Sequence, residues 1–195
     1  MDFHQLYPKA ECLHDNFETF CLKIDSVFAD RIKDQSCKHL FQNMIQMDNI
    51  SENGHCIGIF FLLHSLLVPS TKTFNVSNGK KICTRFTIRD SQRSFFIDGN
   101  TVAACEEELT KKYQTSLKIQ PLILISGSIL KPKEIVIYFE GIKYRMHSAL
   151  NAIDICFKIF FVFNLEYPKE SLLVWTFIQK HLYNISTNID CSSTQ

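Results

Sequence analysis

The chain has 195 residues and a mass of 22.7 kDa, with 46% hydrophobic and 21% charged residues, the balance of a globular protein and not of a disordered or membrane-embedded one. Its 21 basic and 20 acidic residues leave a net charge of +1, which excludes a strong global field for phosphate backbones or anionic lipid. Eight irregularly spaced cysteines argue against a disulfide scaffold, and the start MDFHQLYPKAEC has no apolar leader, so a nuclear or cytoplasmic setting with reduced thiols is expected.

Residues 1–14 read as a flexible lead-in, 15–186 as one α+β domain and 187–195 as a polar tail. Over 15–47 apolar residues recur at three and four (Phe17, Phe20, Cys21, Ile24, Val27, Phe28, Ile32; then Leu40, Phe41, Met44, Ile45), predicting a helix pair or one bent helix. After the turn formers of Ser51-Glu-Asn-Gly54, the run CIGIFFLLHSLLVP is too short for a bilayer, which takes about 20 apolar residues, and predicts a buried helix. In TFNVSNGKKICTRFTI, Asn78-Gly79 predicts a two-residue hairpin turn, with Phe74 and Val76 alternating on one arm and Ile82, Phe86 and Ile88 on the other. SFFI at 94–97 adds a short strand. A helix follows from Thr101, its N-cap, with acidic Glu106-Glu-Glu108 early and Lys111-Lys112 late.

PLILISG and EIVIYFEG read as antiparallel strands, because their link is too short for a parallel crossover, and Gly141 turns the second into a third, IKYRM. From Ser148 a helix apolar over most of its circumference carries Asp154 and Lys158 at i,i+4; these charges interrupt every window long enough to span a membrane. Asn164-Leu-Glu-Tyr-Pro168 breaks it, and a second helix is expected from about Lys169, with Pro168 in its first turn. The fold class expected is therefore α+β: N-terminal helices, a small antiparallel sheet with a hairpin, and a C-terminal helical hairpin.

No motif carries recognisable chemistry. Cys12 with His14, Cys37 with His39, and Cys56 with His64 lack the paired spacing of a zinc site, and no cofactor, metal or catalytic residue is implied. Cys156 lies in the most apolar helix, and Cys105 sits beside three glutamates that oppose a thiolate. For nucleic acid the candidates are Lys80, Lys81, Arg85, Arg89 and Arg93, with Arg85 and Arg89 facing outward if the hairpin arm continues as a regular strand. The 17 phenylalanines point to an aromatic core or a covered apolar surface, and Phe95, Phe96, Phe160, Phe161 and Trp175 are the candidates for the latter.

The ordered segments NFETFCLKIDS, FLLHSLLVP, TIRDSQRSFFI, IQPLILISG and CFKIFFVFNLEYPKESLLVWTFIQKHLYNI resemble a multicopy family of uncharacterised animal proteins, of arthropod and fish genomes, with a transposon-like dispersal. The resemblance covers most of the chain from residue 16, lapses between 35 and 60, and is most specific in the last segment. It implies that the chain is a C-terminal portion of longer relatives, some with an upstream zinc finger. It also implies a nuclear, nucleic-acid-associated setting, and assigns no activity to any residue. The reading is a noncatalytic intracellular interaction module with a protein partner or self-association. A nucleic-acid-associated module is the alternative, a metal-dependent hydrolase a further one.

Overall fold

The computed structural model describes residues 3–69, 72–77, 80–113 and 120–186, with backbone alone at 72–77, 80–84 and 112–113. The chain order is α1 (Phe3–Leu6), α2 (Leu13–Arg31), α3 (Gln35–Gln46), α4 (Glu52–Leu66), β1 (Lys72–Ser77), β2 (Lys80–Arg85), α5 (Ile88–Arg93), β3 (Phe96–Gly99), α6 (Val102–Tyr113), β4 (Leu122–Ser128), β5 (Lys131–Phe139), β6 (Ile142–Met146), α7 (Ala149–Val162) and α8 (Leu172–Phe177), which runs into a π-helical turn over Ile178–Leu182. The class is α+β.

Short polar residues start most of the longer helices by accepting a first-turn N–H that has no partner inside the helix. Asp34 accepts from Cys37 N (2.9 Å), Ser51 from Gly54 N (3.1 Å), Thr101 from Ala104 N (3.2 Å) and Ser148 from Asn151 N (3.3 Å). Asp34 thereby resolves the first helical stretch into two helices, since it and Ile32 have extended backbones between α2 and α3. α2 is the exception: Cys12 precedes it and supplies no side-chain cap.

β1 and β2 pair antiparallel as a separate two-stranded sheet, and the expected Asn78-Gly79 turn lies outside the described residues. The other sheet has the order β3-β4-β5-β6. It is mixed where an antiparallel sheet was expected: β3 runs parallel to β4, and α6 is the crossover that parallel neighbours require. The β5–β6 turn is Glu140-Gly141, both with positive φ (49° and 79°), the backbone of a tight hairpin.

Period-two alternation splits the sheet residues between two layers. Ile97, Leu122, Leu124 and Val136 face Cys105 and Leu109 of α6. Phe96, Ile123, Ile125, Ile135 and Ile137 face the larger core built by α2, α3, α4, α7 and α8. Gly54 lets α4 lie directly on the β4–β5 connection, where a Cβ would run into the Leu130 carbonyl.

The N-terminal residues correct the expectation of a flexible lead-in. Phe3 and Leu13 are core residues, with the Phe3 ring edge-on to Phe157 and Tyr183 at 6.0 and 5.9 Å. The polar tail 187–195 lies outside the described residues. At the C-terminal hairpin, Lys158 and Asp154 do pair, at 2.7 Å, and the Tyr183 hydroxyl also donates to Asp154. Pro168 sits in the turn before α8, its carbonyl accepting from Ser171 N at 3.1 Å, so that helix begins later than the sequence suggested. No helix among the described residues is long and apolar enough to cross a membrane.

Candidate interaction edge and buried polar groups

Of the residues read as a candidate aromatic surface, Phe95, Phe96, Phe160 and Trp175 are at most 2% exposed. This corrects that expectation, because side chains so enclosed offer a partner nothing to touch. Phe95 stacks on Trp175 with centroids 4.2 Å apart, and Phe160 packs against the same indole at 5.0 Å. Phe161 is half-buried, edge-on to Tyr7 at 4.9 Å. Among the described residues the phenylalanines pack helix on helix, as Phe17 on Phe60 and Phe28 on Phe41, and join helix to sheet, as Phe95, just before β3, on Trp175, each aromatic pair adding about 0.5–1.5 kcal/mol beyond its buried area.

The basic candidates do not form one row. A reciprocal capping box ends the strand: Thr87 Oγ1 accepts from Asp90 N (3.1 Å) and the Asp90 carboxylate accepts from Thr87 N (2.8 Å). Ile88 and Arg89 therefore open α5, where a continued strand was expected. Arg85 and Arg89 are exposed, while Arg93 is ion-paired with Glu108 of α6. Lys80 and Lys81 lie on β2 opposite Ser77 and Val76, and their side chains lie outside the described set.

His64, in the middle of α4, is wholly buried, with Nδ1 2.7 Å from the buried Ser91 hydroxyl and its ring edge-on to Phe95 at 5.3 Å. Burial pulls its pKa down from 6.5 to about 3, so the imidazole is neutral and serves as a tie between α4 and α5. Burial pushes the Cys37 thiol up to about 11 and raises those of Cys56, Cys105 and Cys156, which keeps all four in the unreactive thiol form.

Three of the exposed apolar residues, Ile142, Tyr144 and Phe163, lie on or beside one sheet edge. β6 is the last strand of its sheet, with Ile142, Lys143, Tyr144 and Arg145 all exposed. On one face Ile142 lies opposite Phe139, whose ring meets the exposed Phe163 at 5.2 Å, and Tyr144 lies two residues along. On the other face Lys143 pairs with Glu106 (2.8 Å) and the well-exposed Arg145 reaches Glu134 (3.5 Å).

An antiparallel ladder closed by a two-residue turn alternates its hydrogen-bonded pairs from the turn outward. The peptide groups of Lys143 and Arg145 therefore point away from β5. One step further the His147 carbonyl accepts from Asn53 Nδ2 (2.9 Å), which closes that end of the edge. The sequence shows the strand, but its place at the edge depends on the pairing order, which no residue pattern encodes.

Two clefts also mark the described surface. One of about 710 Å³ lies between the end of α2 and α4, bordered by Val27, Asp30, Lys33 and Val68; one of about 600 Å³ lies between α3 and the β4–β5 turn, bordered by Leu40, Met47, Asp98 and Lys131. Neither gathers a convergent set of catalytic groups, and among the described residues no three His, Cys, Asp or Glu side chains converge as metal ligands. Comparison of the chain with protein-family models, with curated proteins and with solved structures finds no match.

Proposed function

We propose that the protein is an intracellular interaction module that takes an extended segment of a partner protein along the free edge of β6. The observation that carries this reading is the open edge itself. Outward peptide groups at Lys143 and Arg145 are flanked by the exposed Ile142, Tyr144 and Phe163. Backbone hydrogen bonds along such an edge supply affinity, and alternate side chains supply selectivity.

Charge selects the occupant. Opposed residues on neighbouring strands share a face, so any antiparallel register of two β6 strands that uses these peptide groups sets Lys143 or Arg145 against Lys143 or Arg145. Like charges directly opposite are destabilising. A segment that alternates apolar and acidic residues instead places its apolar side chains over Ile142 and Tyr144 and its carboxylates beside Lys143 and Arg145, sharing these cations with Glu106 and Glu134. Each such opposite-charge pair is worth about 0.2–1 kcal/mol. The exposed Cys12 and the partly buried Cys21, both free thiols, suit a reducing nuclear or cytoplasmic compartment.

The test is fluorescence anisotropy of a ten-residue peptide alternating valine and glutamate. Binding is expected to weaken as salt rises and to be lost when lysine replaces glutamate in the peptide. Equal binding of both peptides, or of neither, overturns the reading, and single-stranded DNA binding in their place would favour a nucleic-acid module.

A further inference from the structure

We infer that Cys12, His14 and Asn151 form a thiol nucleophile site for an acyl group presented as a thioester or activated ester. All three side chains are exposed, and the site is independent of the β6 edge. Cys12 Sγ lies 3.9 Å from His14 Nδ1, and His14 Nε2 lies 2.6 Å from Asn151 Oδ1, which the fold brings in from 137 residues away.

With Asn151 oriented so that its amide oxygen faces the ring, Nε2 carries the ring hydrogen and donates it, because that oxygen only accepts. In this tautomer the imidazole presents the lone pair of Nδ1 to the thiol. Nucleophile, base and orienting group thus stand in the sequence of roles that thiol-based acyl transfer uses. The scaffold holds each part. Leu13, fully buried between Cys12 and His14, anchors the first turn of α2, and the Ser148 cap holds the Asn151 backbone.

Of the nearby acidic groups, Glu11 and Asp154 are hydrogen-bonded, and Asp15 lies exposed in the first turn of α2 itself. Both Glu11 carboxylate oxygens accept hydrogen bonds, from Asn16 Nδ2 (2.6 Å) and Asn184 Nδ2 (3.1 Å), and Tyr183 donates to Asp154. With no side-chain cap on α2, its first N–H groups remain as donors for a developing oxyanion. The site borders neither cleft, which suits an acyl group carried to the surface better than a small molecule enclosed in a pocket.

In the step this geometry allows, the Cys12 sulfur attacks the acyl carbon while its proton passes to His14 Nδ1. The bond to the leaving thiolate or alkoxide breaks, and that group takes the proton from His14. Water, deprotonated by His14, then cleaves the enzyme thioester and restores the thiol. Asn151 is a positioning residue that holds the tautomer.

The test is the rate of thiophenol release from phenyl thioacetate at neutral pH, with the acetyl-Cys12 intermediate trapped by acid quench and mapped by peptide mass. The rate is expected to fall about 100-fold in His14→Ala and at least about 10-fold in Asn151→Ala. It should recover in Asn151→Asp, which keeps an acceptor for Nε2. Both substituted positions are exposed, and melting curves check that each variant folds. Thiophenol release at the same rate in wild type and His14→Ala, or no trapped acetyl-Cys12, overturns the inference.

Discussion

His64 stays neutral down to about pH 3 because burial penalises its charged form, whereas in the unfolded chain it takes a proton below about 6.5. Between those values the unfolded state binds more protons, so stability falls as pH drops through this window and is unaffected by this group above it. Denaturant midpoints measured from pH 7 to pH 4 should show that decline. It should be shallower in a His64→Leu, Ser91→Ala double variant, which removes both polar partners together. At Gly54, alanine would gain up to about 1 kcal/mol of helix propensity. The added Cβ collides with the Leu130 carbonyl, a backbone atom that cannot swing aside, so Gly54→Ala should destabilise the fold despite its helical context. Phe95→Ala should cost about 3–5 kcal/mol, since it empties a site enclosed by His64, Phe60 and Trp175. That is a large share of the roughly 5–15 kcal/mol that holds a domain together.

At the scale of elements, the helix starts are the local devices most open to test. Thr87→Ala removes one half of the capping box that turns the chain from β2 into α5 and should lower stability by about 1 kcal/mol in chemical denaturation. Most elements were legible because their signals are local: three-four periodicity in α2 and α3, Thr101 as a cap, a helix start at Ser148, Gly141 at the β5–β6 turn, Asp154 with Lys158 along α7. What was not legible depends on residues far apart. SFFI reads as a strand, yet its parallel pairing with β4 follows from α6 crossing the sheet between them. The Thr87–Asp90 box was readable in principle, but the alternation of Ile82, Phe86 and Ile88 masked it. The aromatic residues could not be sorted by composition, since only packing distinguishes the buried Phe95 from the exposed Phe163. Asn151 meets His14 only through the docking of α7 on α2, so no spacing rule joins them.

At the scale of the whole molecule, folding encloses most of the large aromatic groups among the described residues and leaves the β6 edge with outward peptide groups and apolar neighbours. Proline tests this edge directly, because at Lys143 it deletes an outward N–H while leaving the ladder to β5 intact. Lys143→Pro should abolish binding of the valine/glutamate peptide and keep the fold, whereas Lys143→Ala should weaken binding by the loss of one charge pair. The most direct measurement is amide hydrogen exchange at Lys143 and Arg145 with and without that peptide. Both amides should exchange rapidly in the free protein and become protected on adding the peptide, with no protection from its valine/lysine counterpart. Rapid exchange unchanged by either peptide would contradict the account.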